Sequence, residues 1–153
     1  MKKFVKFFAV VLTMFAFSGC GNKAVNIDVN TVYSGISPMT EGTLVKMNDN
    51  YISNYYGINV ADLDQYVFAQ SEDPKSAETI VIFKCDDKDK RAEYMTAVEN
   101  AMNQKYDELS NYNLPEEAKL VKDSKVYVEG SIVYLVISDN AKDMNSIIKD
   151  SIS

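Results

Sequence analysis

The run Thr79-Ile80-Val81-Ile82-Phe83-Lys84-Cys85 constrains this chain more than any other segment. Side chains alternate across an extended strand, so Val81, Phe83 and Cys85 fall on one side and Ile80 and Ile82 on the other. A strand apolar on both faces has to be covered on both. The chain must therefore supply covering layers from elsewhere in its length.

The longest candidate layer follows at once. Asp86, Asp87 and Asp89 open a predicted helix that runs to about Tyr112, with acids placed where the helix dipole favours them. Met95, Val98, Met102, Tyr106 and Leu109 step by three or four and form one apolar stripe. Pro115 closes that region. Upstream, Asp28 is placed to cap a short helix carrying Val29, Val32, Tyr33 and Ile36 on one face, ended by Ser37-Pro38. Leu44, Met47, Tyr51, Ile52, Tyr55 and Tyr56 predict a second helix over about 41–56, with Gly57 where a left-handed cap belongs. Asp139 or Asn140 caps a last helix, with Ala141, Met144, Ile148 and Ile152 aligned.

Strands fill the intervals. Tyr66, Val67 and Phe68 sit in a short strand over 65–70, joined to 79–85 through the polar turn Glu72-Asp73-Pro74-Lys75-Ser76. Runs over 125–129 and 132–138 flank Glu129-Gly130-Ser131, where glycine permits a tight hairpin turn. After the N-terminal helices the order is β-β-α-β-β-α. That order predicts an α+β domain: an antiparallel sheet of about four strands with helices packed on it.

The first residues have a different logic. Lys2, Lys3 and Lys6 precede an apolar run from Phe7 to Phe17 that only Thr13 interrupts, and Ser18-Gly19 lead to Cys20. Positive charge, then grease, then small residues is the pattern of a signal peptide. The run is shorter than the roughly 20 apolar residues of a spanning helix. Phe17-Ser18-Gly19-Cys20 resembles the lipobox of bacterial lipoproteins, with Phe17 where the pattern usually has Leu. The resemblance implies cleavage before Cys20 and a lipid on its thiol. The expected organisation is a signal peptide over 1–19, a lipidated cysteine and tether over 20–27, and one domain over 28–153.

Removal of residues 1–19 leaves 134 residues, enough to bury a real core. The whole chain carries −6 and the leader holds three lysines and no acid, which leaves the mature part at −9. An acidic domain argues against nucleic acid, which needs a basic footprint, and is repelled by anionic headgroups. With Cys20 lipidated, Cys85 has no partner for an intramolecular disulfide. The chain has no histidine, which removes the commonest general base and metal ligand. Lys, Asn, Ile and Tyr are plentiful while Arg91 is the only arginine, a bias in keeping with an AT-rich, Gram-positive source.

Tyr55-Tyr56-Gly57-Ile58, Ile80-Val81-Ile82-Phe83-Lys84 and the segment Val128-Glu129-Gly130-Ser131-Ile132 through Asp139 together resemble the small lipoproteins built on domain of unknown function 4358. The resemblance spans roughly residues 45–150. It implies the same β-β-α-β-β-α fold and carries no activity and no catalytic residue.

Candidate chemistry is sparse. An EF-hand loop starting at Asp87 would need Gly and Glu where Ala92 and Val98 stand, so the acids there read as a helix cap. Asp62 and Asp64 could serve acid–base work but read as a solvated turn. Asp139, Asn140 and Asp143 read as caps. Cys85 lacks a base and reads as a buried strand thiol. Ser–His–Asp chemistry is excluded, whereas a Ser–Lys dyad is not. No metal set and no cofactor is expected.

Ten tyrosines and no tryptophan leave one positive signal. Tyr51, Tyr55 and Tyr56 crowd one helix end, where rings with polar tips suit a binding surface for a protein or glycan, or else rim the core. The expectation is a membrane-tethered, extracytoplasmic, non-catalytic binding or accessory module. Capture of a small molecule or glycan is the alternative, and an extracytoplasmic hydrolase using carboxylates or a Ser–Lys pair is a third.

Overall fold

A computed structural model describes residues 27–152. The predicted leader, Cys20 and the segment that follows it to Asn26 lie outside the described residues, as does Ser153. Ile27, which the sequence places at the end of the tether, is 4% exposed and packs into the core.

Helix α1 (Val29–Ile36) is capped by Asp28, whose carboxylate accepts the Asn30 and Thr31 amides. Strand β1 (Leu44–Lys46) follows. Helix α2 (Asp49–Tyr51) continues without a break into a π-helical turn over Ile52–Tyr56, and Gly57 ends it at φ 71°. Strands β2 (Gln65–Ser71) and β3 (Thr79–Lys84) form a hairpin. Helices α3 (Lys88–Asn111) and α4 (Pro115–Asp123) come next, then strands β4 (Tyr127–Glu129) and β5 (Ile132–Ile137), and finally helix α5 (Ala141–Ile152).

Among the described residues one antiparallel five-stranded sheet forms in the order β1-β2-β3-β5-β4. The architecture is α+β, as the pattern of elements requires. β3 is central and pairs with β2 and β5 along its whole length, from Gln65↔Lys84 and Lys84↔Ile132 at one end to Gln70↔Thr79 and Thr79↔Ile137 at the other. Ile80 and Ile82 join Val67, Ala69, Ile132, Tyr134 and Val136 on one face, beneath α1 and α5. Val81 and Phe83, with Cys85 just past the strand, join Phe68, Val133, Leu135 and Ile137 on the other, beneath α2, α3 and α4. The double-faced strand is thus covered on both sides.

Two expectations need correction. The helix over 41–56 starts only at Asp49, because Asn48 caps it by accepting the Tyr51 amide at 2.9 Å, and Leu44–Lys46 extends instead as an edge strand. Leu44 and Met47 mimic helical spacing, but Met47 N–H donates to the Phe68 carbonyl at 2.7 Å. Pro115 does not close the helical region; it opens α4. Proline fits the first helical turn, where its missing N–H is not needed. The turn before it is a Schellman motif: Leu114 N–H donates to Leu109 O, Asn113 N–H to Ser110 O, and Asn113 takes φ 57°. With α4 alongside, the buried stripe of α3 is Tyr94, Val98, Ala101 and Leu109, while Met95, Met102 and Tyr106 are only partly buried at its margins.

Candidate functional site

The three singled-out tyrosines come together in one aromatic row. Tyr51 stacks on Tyr55 at 5.3 Å between ring centroids, and Tyr55 meets Tyr56 edge-on at 5.1 Å. The row continues inward through Tyr56–Phe68 at 4.9 Å and Phe68–Phe83 at 5.8 Å. Tyr55 and Tyr56 are consecutive in the π-helical turn, and their roles divide. Tyr56 is 6% exposed, so it is a core group and not a surface contact; its hydroxyl accepts from Gln70 Nε2 at 2.9 Å. Tyr51 and Tyr55 are half-buried at the rim, and the Tyr51 hydroxyl donates to Gln70 Oε1 at 3.2 Å. Gln70 therefore clamps two phenols with one amide. Burial pushes all three phenols above their ordinary pKa, and the Glu108 carboxylate adds to the effect on Tyr51 and Tyr55. They are neutral hydrogen-bonding rings, not bases.

Asp62 departs from the solvated-turn reading. Its carboxylate accepts Lys90 Nζ and the Tyr94 hydroxyl, each at 2.5 Å, and its side chain is 19% exposed. The Lys90 and Tyr94 hydrogen bonds hold Asp62 below the usual carboxylate range. Tyr94 is pushed up to about 12, mainly by burial and then by its bond to Asp62. Asp64 is exposed and takes no part in this triad, so the two acids do not act as a pair. The triad pins the turn over 60–62 to the first turns of α3.

The acids at the other end of the sheet serve loops. Glu78 is 5% exposed, and its carboxylate accepts the Glu41 and Gly42 amides and the Ser138 hydroxyl. Glu117 accepts the Ala77 amide at 2.6 Å. With Glu41, Asp73 and Asp139 they line a hollow of about 250 Å³. Among the described residues no group of three or more acids, cysteines or histidines is placed to hold a metal ion. Asp87 caps α3 by accepting the Asp89 and Lys90 amides, as its position predicts. Asn140 starts the α5 ladder through its carbonyl, while its side-chain amide donates to Met39 O at 2.7 Å.

Cys85 is fully buried, its thiol donates weakly to Asp87 O at 3.5 Å, and burial pushes its pKa up. A thiol so placed is a poor nucleophile. Cys20 lies outside the described residues. Among the described residues no helix is long and apolar enough to cross a membrane.

A cleft of about 430 Å³ runs along the α3–α4 hairpin, and no motif in the sequence points to it. Tyr106, Ser110, Asn113, Pro115, Ala118, Lys119, Lys122 and Asp123 line it. A neighbouring hollow of about 240 Å³ shares Tyr106 and Lys122, so the two continue one another along the helix pair. Tyr106, on the apolar stripe of α3, forms a wall of the cleft because α4 packs beside it.

No curated protein and no solved structure matches the chain. One family model does, over residues 37–138, two thirds of the sequence, from the turn after α1 to the end of β5. By that match the chain belongs to the family described as Domain of unknown function (DUF4358).

Proposed function

We propose that this protein is a non-catalytic binding module, carried outside the cytoplasmic membrane on a lipid attached to Cys20 and recognising a protein or glycan partner through Tyr51 and Tyr55. The observation that carries the reading is the stacked Tyr51–Tyr55 pair, held at the rim by Gln70 and by the ring row beneath it. Aromatic rings fixed before a partner arrives lose little conformational freedom on contact, which is what an anchor residue needs. The position of the pair agrees with a tether at the N-terminus. The Val29 amide donates to Gln65 Oε1 at 2.9 Å, so the chain enters the domain at the Gln65 end of β2. Tyr51 bonds Gln70, five residues along that strand, about 17 Å away at the usual strand rise. A domain suspended from Cys20 would hold its tyrosine rim toward its far side.

Photocrosslinking in native cells tests this. A photoreactive phenylalanine placed at 51 or at 55 in the full chain should give a discrete adduct that the same residue at Ile147, on the opposite face, does not. Adducts of equal yield and pattern at all three positions, or none at 51 and 55, would remove the tyrosine rim from the reading.

A further inference from the structure

From the α3–α4 cleft we infer a binding site for a neutral saccharide, distinct from the tyrosine rim and independent of the lipid tether. The lining sets the ligand class. Ser110, Asn113, Lys119, Lys122 and Asp123 set polar groups into a wall whose remaining surface is apolar, a mixed lining that suits a ligand carrying both hydroxyls and C–H faces and not an acyl chain. Among the described residues the side chains of Ser110, Asn113 and Lys122 make no hydrogen bond or ion pair, so a hydroxyl donor and acceptor, an amide and an ammonium stand ready. Tyr106 and Ala118 supply an apolar strip, the surface against which the C–H face of a sugar ring packs.

Charge argues against an anion. Lys119 is already paired with Asp123 at 2.8 Å, which leaves Lys122 as the one cation. The cleft begins at the negative end of the α3 dipole and runs along α4 from Pro115 to Asp123. Glu116 and Glu117 hold the first turn of α4, the positive end at which a phosphate would otherwise settle. A cleft of about 430 Å³ is in the range of small-molecule sites, and its continuation past Tyr106 and Lys122 gives room for a second ring.

The test is a set of amide chemical-shift titrations of the full chain in detergent micelles. The probes are maltose, cellobiose, lactose and chitobiose, with glucose 6-phosphate as the anionic comparison. At least one disaccharide should shift Ser110, Asn113 and Lys122 together, saturating at concentrations on the order of 10 mM, and glucose 6-phosphate should bind more weakly. Asn113→Gly removes the amide while keeping a residue that accepts φ 57°, and Lys122→Ala changes an exposed side chain. Each should weaken the disaccharide by about threefold to tenfold, in line with the loss of one hydrogen bond, and leave the fold unchanged. If none of the four disaccharides moves these residues, if glucose 6-phosphate binds as well or better, or if both variants bind like the parent, the site is not a neutral-saccharide site. Crosslinks at Tyr51 and Tyr55 report on a separate surface, so either reading can fail without the other.

Discussion

Asp62 shows how far one side chain can move from the reading its neighbours suggest. Two acids two residues apart in a polar stretch look like a solvated turn. Folding instead brings Lys90 and Tyr94, from the first two turns of α3, onto one of them. Nothing local in the sequence announces a partner 28 or 32 positions away. The consequence is a pH dependence whose sign can be worked out. The folded state depresses Asp62, so its contribution is present above the ordinary carboxylate pKa and is lost as pH falls through the folded value. Lys90 and Tyr94 are both raised, so theirs is present below their ordinary values and fades at strongly alkaline pH, for Tyr94 as pH approaches about 12. Asp62→Asn should therefore lower the melting temperature at pH 7, and the two melting curves should converge as pH falls below the ordinary carboxylate range and through the depressed folded value, where the parent carboxylate is protonated as well. Thermal melts across pH 2 to 8 measure it; a constant difference between the proteins at every pH would mean that Asp62 acts by shape and not by charge. Tyr56 teaches the same lesson in reverse. It is indistinguishable in sequence from Tyr55, its neighbour, yet one π-helical turn sends it into the core and leaves Tyr55 at the rim.

At the level of elements, the long periodic segments were legible and the short ones were not. β3 announces its two covered faces, and α3 announces its cap and most of its length, because each repeats its pattern several times. Val98 is the firmest point of that reading: it belongs to the expected stripe and is fully buried in the core beneath α2, α3 and α4. Val98→Asp should unfold the domain or lower its stability by several kcal/mol, since an unpaired carboxylate there has no solvent and no partner. Circular dichroism in a urea titration measures this, and a midpoint equal to the parent's would place Val98 outside the core. Three-residue β1 is too short to show a period of two, and its residues also satisfy a helical spacing. α4 is hidden by a proline that can end one helix or begin the next. What decides is the Asn113 turn, which reverses the chain so that Ala118 and Val121 reach the core. The α3–α4 cleft was unreadable for that reason: it exists only between a helix the sequence showed and one it concealed.

For the whole molecule, the two helical layers divide the work. α1 and α5 close one face of the sheet, and α1 also receives the chain from the N-terminal segment. α2, α3 and α4 close the other and carry both the tyrosine rim and the cleft. Each layer buries its own core, so the domain does not depend on a membrane for its fold; the described residues alone bury both faces of the sheet. The lipid reading then makes a prediction that separates address from structure. Cys20→Ala removes the thiol that would carry the lipid, and with it an anchor worth about 0.8 kcal/mol for each buried methylene. The variant should take up no clickable fatty acid in metabolic labelling, and it should persist as uncleaved precursor or appear in the medium. Purified from either fraction, it should melt within about 2 °C of the parent, because Cys20 lies seven positions before Ile27, the first core residue among those described. Equal fatty-acid label on parent and variant would mean that Cys20 is not the attachment point. A variant that loses both the label and its folding transition would show instead that the segment before Ile27 belongs to the domain, and that the tether reading has drawn the boundary in the wrong place.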